Sequence, residues 1–251
     1  MKRKSVIVSV GLLVVVVLAS AGGDPWKDKP FDQWTDRDIT AVLQTSPWAK
    51  VNLQTGLGSK QMDGQAVTGG SLGTSGGAEA QAKTAAGALP GQTGGVAKNA
   101  NAGPAVYNAF WFSSRTIREA VARRAMLHSE MEEAAAKKFI DQTFDEYEIM
   151  IQGSDMSVFE LRGENAFKDA AFLQMKKSKQ KIGPDRVEFQ KGADGTSVQS
   201  VKFFFPKKDA NGAPTISADE KEVDFYVRVG ADQIRTFFEP MKMVDSQGED
   251  L

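Results

Sequence analysis

Glu222-Val223-Asp224-Phe225-Tyr226-Val227-Arg228-Val229 alternates apolar and polar positions, with Val223, Phe225, Val227 and Val229 on one side. A period of two marks a β-strand with one buried and one wet face. Val187 to Gln190 and Ser197 to Phe205 upstream read as strands, and so does Ile234 to Val244 downstream. Turn chemistry separates these strands at Ala193-Asp194-Gly195 and Asp209-Ala210-Asn211-Gly212.

Outward from this run the period changes. Val106 to Phe112 reads as a strand, and Ser113 and Ser114 follow as candidate helix caps. Ile117, Ala120, Val121, Ala125, Met131, Ala135 and Phe139 then recur at helical spacing. Arg115, Arg118, Arg123, Arg124, Glu132, Lys137 and Lys138 are assigned to the solvated remainder. Ser129-x-x-Glu132 has the form of a capping box, so two helices are expected to meet near His128. Glu146 to Gln152 reads as a strand closed by Gly153, and Ala166 to Met175 as a second helical pattern. The resulting order is β-α-β-α-β-β-β-β. Strands gathered after the helices favour an α+β fold, an antiparallel sheet packed against two or three helices, over a parallel α/β fold.

The N-terminal third is organised differently. Lys2, Arg3 and Lys4 precede an apolar run from Val6 to Leu18, and Ala19-Ser20-Ala21 follows as a small-x-small site. This is the pattern of a signal peptide cut before Gly22. An uncleaved anchor is the alternative, since the uncharged run from Ser5 to Gly23 has nearly the ~20 residues needed to span a bilayer. Residues 22–51 form a short Trp-rich segment. Thr35 caps a helix there, Asp36 and Asp38 favour its first turn, and Ile39, Val42 and Leu43 form its apolar face. Pro47 ends it. Trp26, Trp34 and Trp48 flank this helix. They either pin it to the main domain or present an aromatic patch to a partner, a role tryptophan suits. Residues 52–104 are rich in Gly, Ala, Ser, Thr and Gln and lack aromatics. Such a composition buries too little to offset its ordering entropy, and it reads as a disordered linker. Residues 105–251 carry the α+β domain.

Composition excludes several chemistries. With no cysteine in the chain, disulfides, thiol catalysis and cysteine-ligated metals are excluded. The net charge of -1 gives no general attraction to nucleic acid. His128 is the single histidine, without an HExxH pattern or a G-x-S-x-G elbow. No phosphate loop precedes a helix, so no cofactor is expected. Glu130, Glu132 and Glu133, and separately Asp145, Glu146 and Glu148, are candidates for paired carboxylates; solvated charge is the plainer reading. Asp209-Ala210-Asn211-Gly212 opens like a calcium loop and Glu220 falls at its twelfth position. However, Pro214 stands where glycine is required, so a hairpin loop is expected. Lys176, Lys177, Lys179 and Lys181 read as the basic end of the second helix, with an anionic envelope polymer or headgroup as the functional alternative.

Trp34-Thr35-Asp36-Arg37-Asp38 through Leu43-Gln44-Thr45-Ser46-Pro47-Trp48-Ala49 resembles the N-terminal motif of a family of uncharacterised secreted bacterial proteins. In that family a Trp-Ser/Thr helix ends in Ser-Pro-Trp-Ala, and a variable linker leads to an α+β domain. Phe110-Trp111-Phe112-Ser113-Ser114 with Ile117-Arg118-Glu119-Ala120 is similar to its strand–helix junction. The resemblance implies secretion and this layout; it implies no activity and no site residues.

The functional expectation is an exported, non-catalytic envelope module that binds or builds, with an envelope protein or polymer as partner. A hydrolase using carboxylates and a small-ligand carrier are the alternatives. The export reading predicts a mature N-terminus at Gly22. Intact-mass measurement of the protein recovered from its native host checks this, and retention of residues 1–21 would count against cleavage.

Overall fold

The computed structural model describes residues 23–55, 105–230 and 232–251. The leader and all but the first four residues of the linker lie outside the described residues. In chain order the elements are α1 (Pro25–Asp28), α2 (Asp36–Thr45), β1 (Ala49–Gln54), β2 (Val106–Trp111), α3 (Arg115–Leu127), α4 (Glu133–Ile140) and β3 (Glu146–Gly153). They continue as α5 (Ser157–Glu160), α6 (Glu164–Lys168), β4 (Ala171–Met175), β5 (Lys181–Ile182), β6 (Arg186–Lys191), β7 (Val198–Pro206), β8 (Val223–Val229), β9 (Asp232–Phe238), β10 (Val244–Asp245) and β11 (Gly248–Glu249). The class is α+β, and every strand pairing is antiparallel.

The strands divide into two main sheets, not the single one expected. One has the order β1-β2-β3-β7-β6 and the other β5-β4-β8-β9; β10 and β11 form a separate hairpin. Aromatic side chains join the two sheets. Phe225 of β8 meets Phe203 and Phe205 of β7 at 5.5 and 6.3 Å, and Trp111 of β2 meets Phe238 of β9 at 5.1 Å. These edge-on and tilted contacts are the favoured geometries for ring pairs. Side chains alternate along a strand, so Phe110 points away from Trp111. Phe112, just past β2, meets Phe139 of α4.

The N-terminal segment is part of this body. Thr35 and Asp38 form a capping box on α2, and Ile39, Val42 and Leu43 are buried. β1 extends the five-stranded sheet, running to Gln54 and so past the expected start of the linker at residue 52. Trp26, Trp34 and Trp48 are 6%, 1% and 0% exposed, which corrects the reading of them as a partner-binding patch. Trp26 and Trp48 pack edge-on at 5.8 Å. The Trp34 indole donates to the carbonyls of Pro25 and Lys29, and the Arg123 guanidinium donates to the Trp34 carbonyl. The indoles thus fasten the segment to the domain, the other reading the sequence offered.

Four local expectations change. Ala166 to Met175 is not one helix: α6 stops at Lys168, and Ala171, Leu173 and Met175 point inward from β4. Over five residues, period two and a helical stripe look alike. The lysines 176–181 consequently sit at the β4–β5 hairpin, where Lys179 adopts φ 61°, and not at a helix C-terminus. Ser129 adopts φ 58° as α3 unwinds, and Glu132 starts α4 without a side-chain cap, so the capping box does not form. The last long strand stops at Phe238, ahead of a 3-10 turn at Pro240–Lys242. No described helix is long and apolar enough to cross a membrane.

Replacing Trp48 by alanine empties a fully buried site. It should cost about 3–5 kcal/mol, read as a lower urea midpoint with an unchanged slope. A loss below about 1 kcal/mol would refute a core role for this indole.

Candidate functional site

The N-terminus of α3 is where three distant segments meet. Ser114 caps the helix, its hydroxyl accepting from the Ile117 amide. The two preceding amides, of Arg115 and Thr116, donate to the carboxylate of Asp250 at 2.6 and 2.8 Å. A carboxylate suits this position because the first-turn amides have no partner within the helix and the macrodipole is positive there. The Asp250 carbonyl accepts from the Trp48 indole at 2.6 Å. Arg115 then turns its guanidinium onto Asp245 of the C-terminal hairpin.

Four residues farther along α3 from Ser114, Arg118 is buried, at 6% exposure. Its guanidinium donates to the carbonyls of Phe139, Ile140 and Gln142 at the end of α4, and to those of Ser113 and Ser114. A cation is favoured at a helix C-terminus, where carbonyls lack intrahelical partners. It also lies over the Phe144 ring at 4.8 Å. Burial depresses the Arg118 pKa, yet the fork of carbonyls keeps its N–H groups bonded.

Between α3, α4, the 3-10 turn at Phe31–Gln33 and the C-terminal tail lies a cavity of about 740 Å³. Phe31, Met126, Ile140 and Phe144 supply apolar wall. Arg115, Arg118, Lys207, Glu119 and Asp250 supply charge. Lys207 donates to the Leu251 carbonyl at 2.8 Å, and burial lowers its pKa. Glu119 is different. Its nearest cation is the Arg115 Nε at 4.0 Å, beyond hydrogen-bonding distance, and its carboxyl bonds to no other described residue. Burial pushes its pKa up to about 7, with Asp245 and Asp250 adding to the rise and Arg115 and Arg118 opposing it. Ser113 lines the same cavity, and its hydroxyl is buried without a partner.

The other sequence candidates do not converge here. His128 is an exposed C-cap of α3. Of the glutamates at 130, 132 and 133, only Glu133 lines the cavity. Glu146 pairs with Arg186 at 2.9 Å and Glu148 with Lys202 at 3.3 Å, on the five-stranded sheet. Burial raises the Glu148 pKa and Lys202 counters it. The Asp209 carboxylate accepts from the Asn211 and Ala213 amides, closing the expected hairpin loop. Among the described residues no cluster of acidic or histidine side chains is arranged to hold a metal.

The sequence reading placed Arg115 and Arg118 in the solvated remainder of the helix and passed over Glu119. For Arg118 a signal was available: Arg118, Val121, Ala122 and Ala125 follow i, i+3, i+4, i+7 spacing, so the arginine sits on the buried stripe. The Asp250 cap, 134 residues from Thr116, had no such signal.

The raised Glu119 pKa has a stability consequence. The unfolded carboxyl titrates near 4.5 and the folded one near 7, so the folded state binds the proton more tightly. Its contribution is therefore most favourable below pH ~4.5 and is lost as pH rises toward 7. Glu119→Gln keeps the shape without the charge. It should be more stable than the wild type by roughly 1–3 kcal/mol at pH 8, with the gap closing by pH 5, in parallel urea titrations.

No protein-family model, no curated protein and no solved structure matches the chain.

Proposed function

We propose that this protein is an exported cell-envelope module that binds a small ligand, without catalysis, in the cavity between α3, α4 and the C-terminal tail. The observation that carries the binding reading is Glu119, a carboxyl without a hydrogen-bond partner lining a cavity in which Arg115, Arg118, Lys207 and Asp250 are all hydrogen-bonded. A cavity of about 740 Å³ with mixed walls is of the size and character that small-molecule sites have. Export is supported by Lys2-Arg3-Lys4, the apolar run and Ala19-Ser20-Ala21, and by the resemblance of residues 34–49 to secreted proteins.

The geometry favours binding over hydrolysis for a specific reason. Glycosidase-type chemistry needs two carboxyls free to act on one bond. Asp250 spends both oxygens on the amides of α3. Asp245 spends one on Arg115 and the other on the Gln247 amide. The two carboxylates that act most strongly on Glu119 are thus both taken up by other donors.

Isopropanol and acetamide, titrated into the ¹⁵N-labelled protein, should shift amide resonances of α3, α4 and the tail together. Thr143→Trp, which sets an indole on an exposed lining residue, should suppress those shifts. Shifts scattered over the surface, or unchanged in the variant, would refute this cavity as the binding site.

A further inference from the structure

Resting on the cavity as the ligand site, we propose that its ligand carries a protonated primary amine on a short aliphatic stem, with Glu119 as the counter-ion. Three observations carry this. The walls hold more acid than base: Asp32, Glu119, Glu133, Asp141, Glu249 and Asp250 against Arg115, Arg118, Lys137 and Lys207. The innermost cations are already engaged: Arg115 with Asp245, Arg118 with the carbonyls ending α4, and Lys207 with the Leu251 carbonyl. An anionic ligand would have to share Arg115, Arg118 and Lys207 with acceptors they already hold, or settle for the exposed Lys137. Glu119 has only its 4.0 Å ion pair with the Arg115 Nε to loosen, and no hydrogen bond to give up.

The apolar walls set the rest of the ligand. Phe31, Met126 and Ile140, which belong to one apolar cluster, together with Phe144 favour methylene groups over a second charge. An ammonium paired with a carboxylate away from bulk water gains more than the same pair in solvent. Binding a cation also requires Glu119 to be ionised, so the bound state releases a proton whenever the carboxyl starts out neutral. Arg115 and Arg118 from α3, Asp245 from β10 and Asp250 from the tail act on Glu119 directly. Glu133, Lys137 and Asp141 from α4 and its end, Asp32 from the 3-10 turn, Lys207 beyond β7, and Glu249 from β11 border the same space. Those groups stay in place in the comparison of wild type with Glu119→Gln, so the difference isolates one carboxyl.

The test uses the full-length protein and three probes of one length: n-hexylamine, n-hexanol and n-hexanoate. Binding is followed by amide shifts and by calorimetry at pH 6 and pH 8. Hexylamine stays protonated across this range, whereas the ionised fraction of Glu119, with its pKa of about 7, rises from about a tenth to about nine tenths. Hexylamine is therefore expected to bind about nine-fold more tightly at pH 8, and to release protons at pH 6. Glu119→Gln should weaken it at least ten-fold at pH 8 and abolish the pH dependence, with an amide spectrum matching the wild type outside α3. The wild-type pH series stands alone if the variant fails to fold. Equal binding of hexylamine and hexanol, independent of pH, would overturn the amine assignment and leave the cavity reading intact. Preference for hexanoate would overturn it in favour of an anion. If none of the three binds, both readings fall.

Discussion

The bond on which the rest of this structure depends is that between the Asp250 carboxylate and the first two amides of α3. It ties the last residues of the chain to the middle, and through the adjacent carbonyl it holds Trp48 near the beginning. A buried carboxylate is costly unless its oxygens are bonded. Here the helix supplies donors that would otherwise be orphaned, so one contact meets two needs. The partners are 134, 135 and 202 residues apart. Such contacts form only after long loops close, so the N-terminal segment, α3 and the C-terminal hairpin are fixed together, late, or not at all.

Around this joint, cations organise the helical layer. Arg118 reaches from α3 to the carbonyls that end α4, and Arg123 reaches from the same helix to the Trp34 carbonyl. Arginine suits both positions because its planar fork meets several carbonyls at once and it stays charged when partly desolvated. The cost of burying Arg118 is met by five backbone acceptors, and no carboxylate is required beside it. Glu119, one residue on, differs from these arginines in making no hydrogen bond through its side chain. A cavity built this way keeps a titratable carboxyl in waiting, held neither by a salt bridge at contact distance nor by an amide.

The two sheets have a similar logic. Phe203, Phe205 and Phe225 fill the space between them, and Trp111 and Phe238 close one end. β1, at the edge of the five-stranded sheet, lies beside β9, at the edge of the four-stranded one, so the segment before the linker helps complete the sandwich. Here the division at residue 52 breaks down in physical terms. Leu53 pairs opposite Tyr107 and is buried, although Asn52 beside it takes a left-handed conformation in the β-bulge. Ala49, Val51 and Leu53 alternate with Lys50, Asn52 and Gln54, so a strand signal of period two runs across the boundary drawn at residue 52.

Local pattern was enough for the elements whose buried residues recur several times. Alternation marked β7 and β8, helical spacing marked α2 and α3, and Thr35 marked the start of α2, because each depends on side chains a few residues apart. The α+β class followed from their order. Pairing partners were another matter. Whether Ala171, Leu173 and Met175 line a helix or a strand, whether the strands form one sheet or two, and whether three indoles face solvent or core all depend on what lies across from them. Glu119 belongs to that second group: its carboxyl is singled out by burial and by partners taken up elsewhere. Tertiary structure alone decides that, because desolvation and hydrogen-bond supply are properties of a place in the fold and not of a position in the chain.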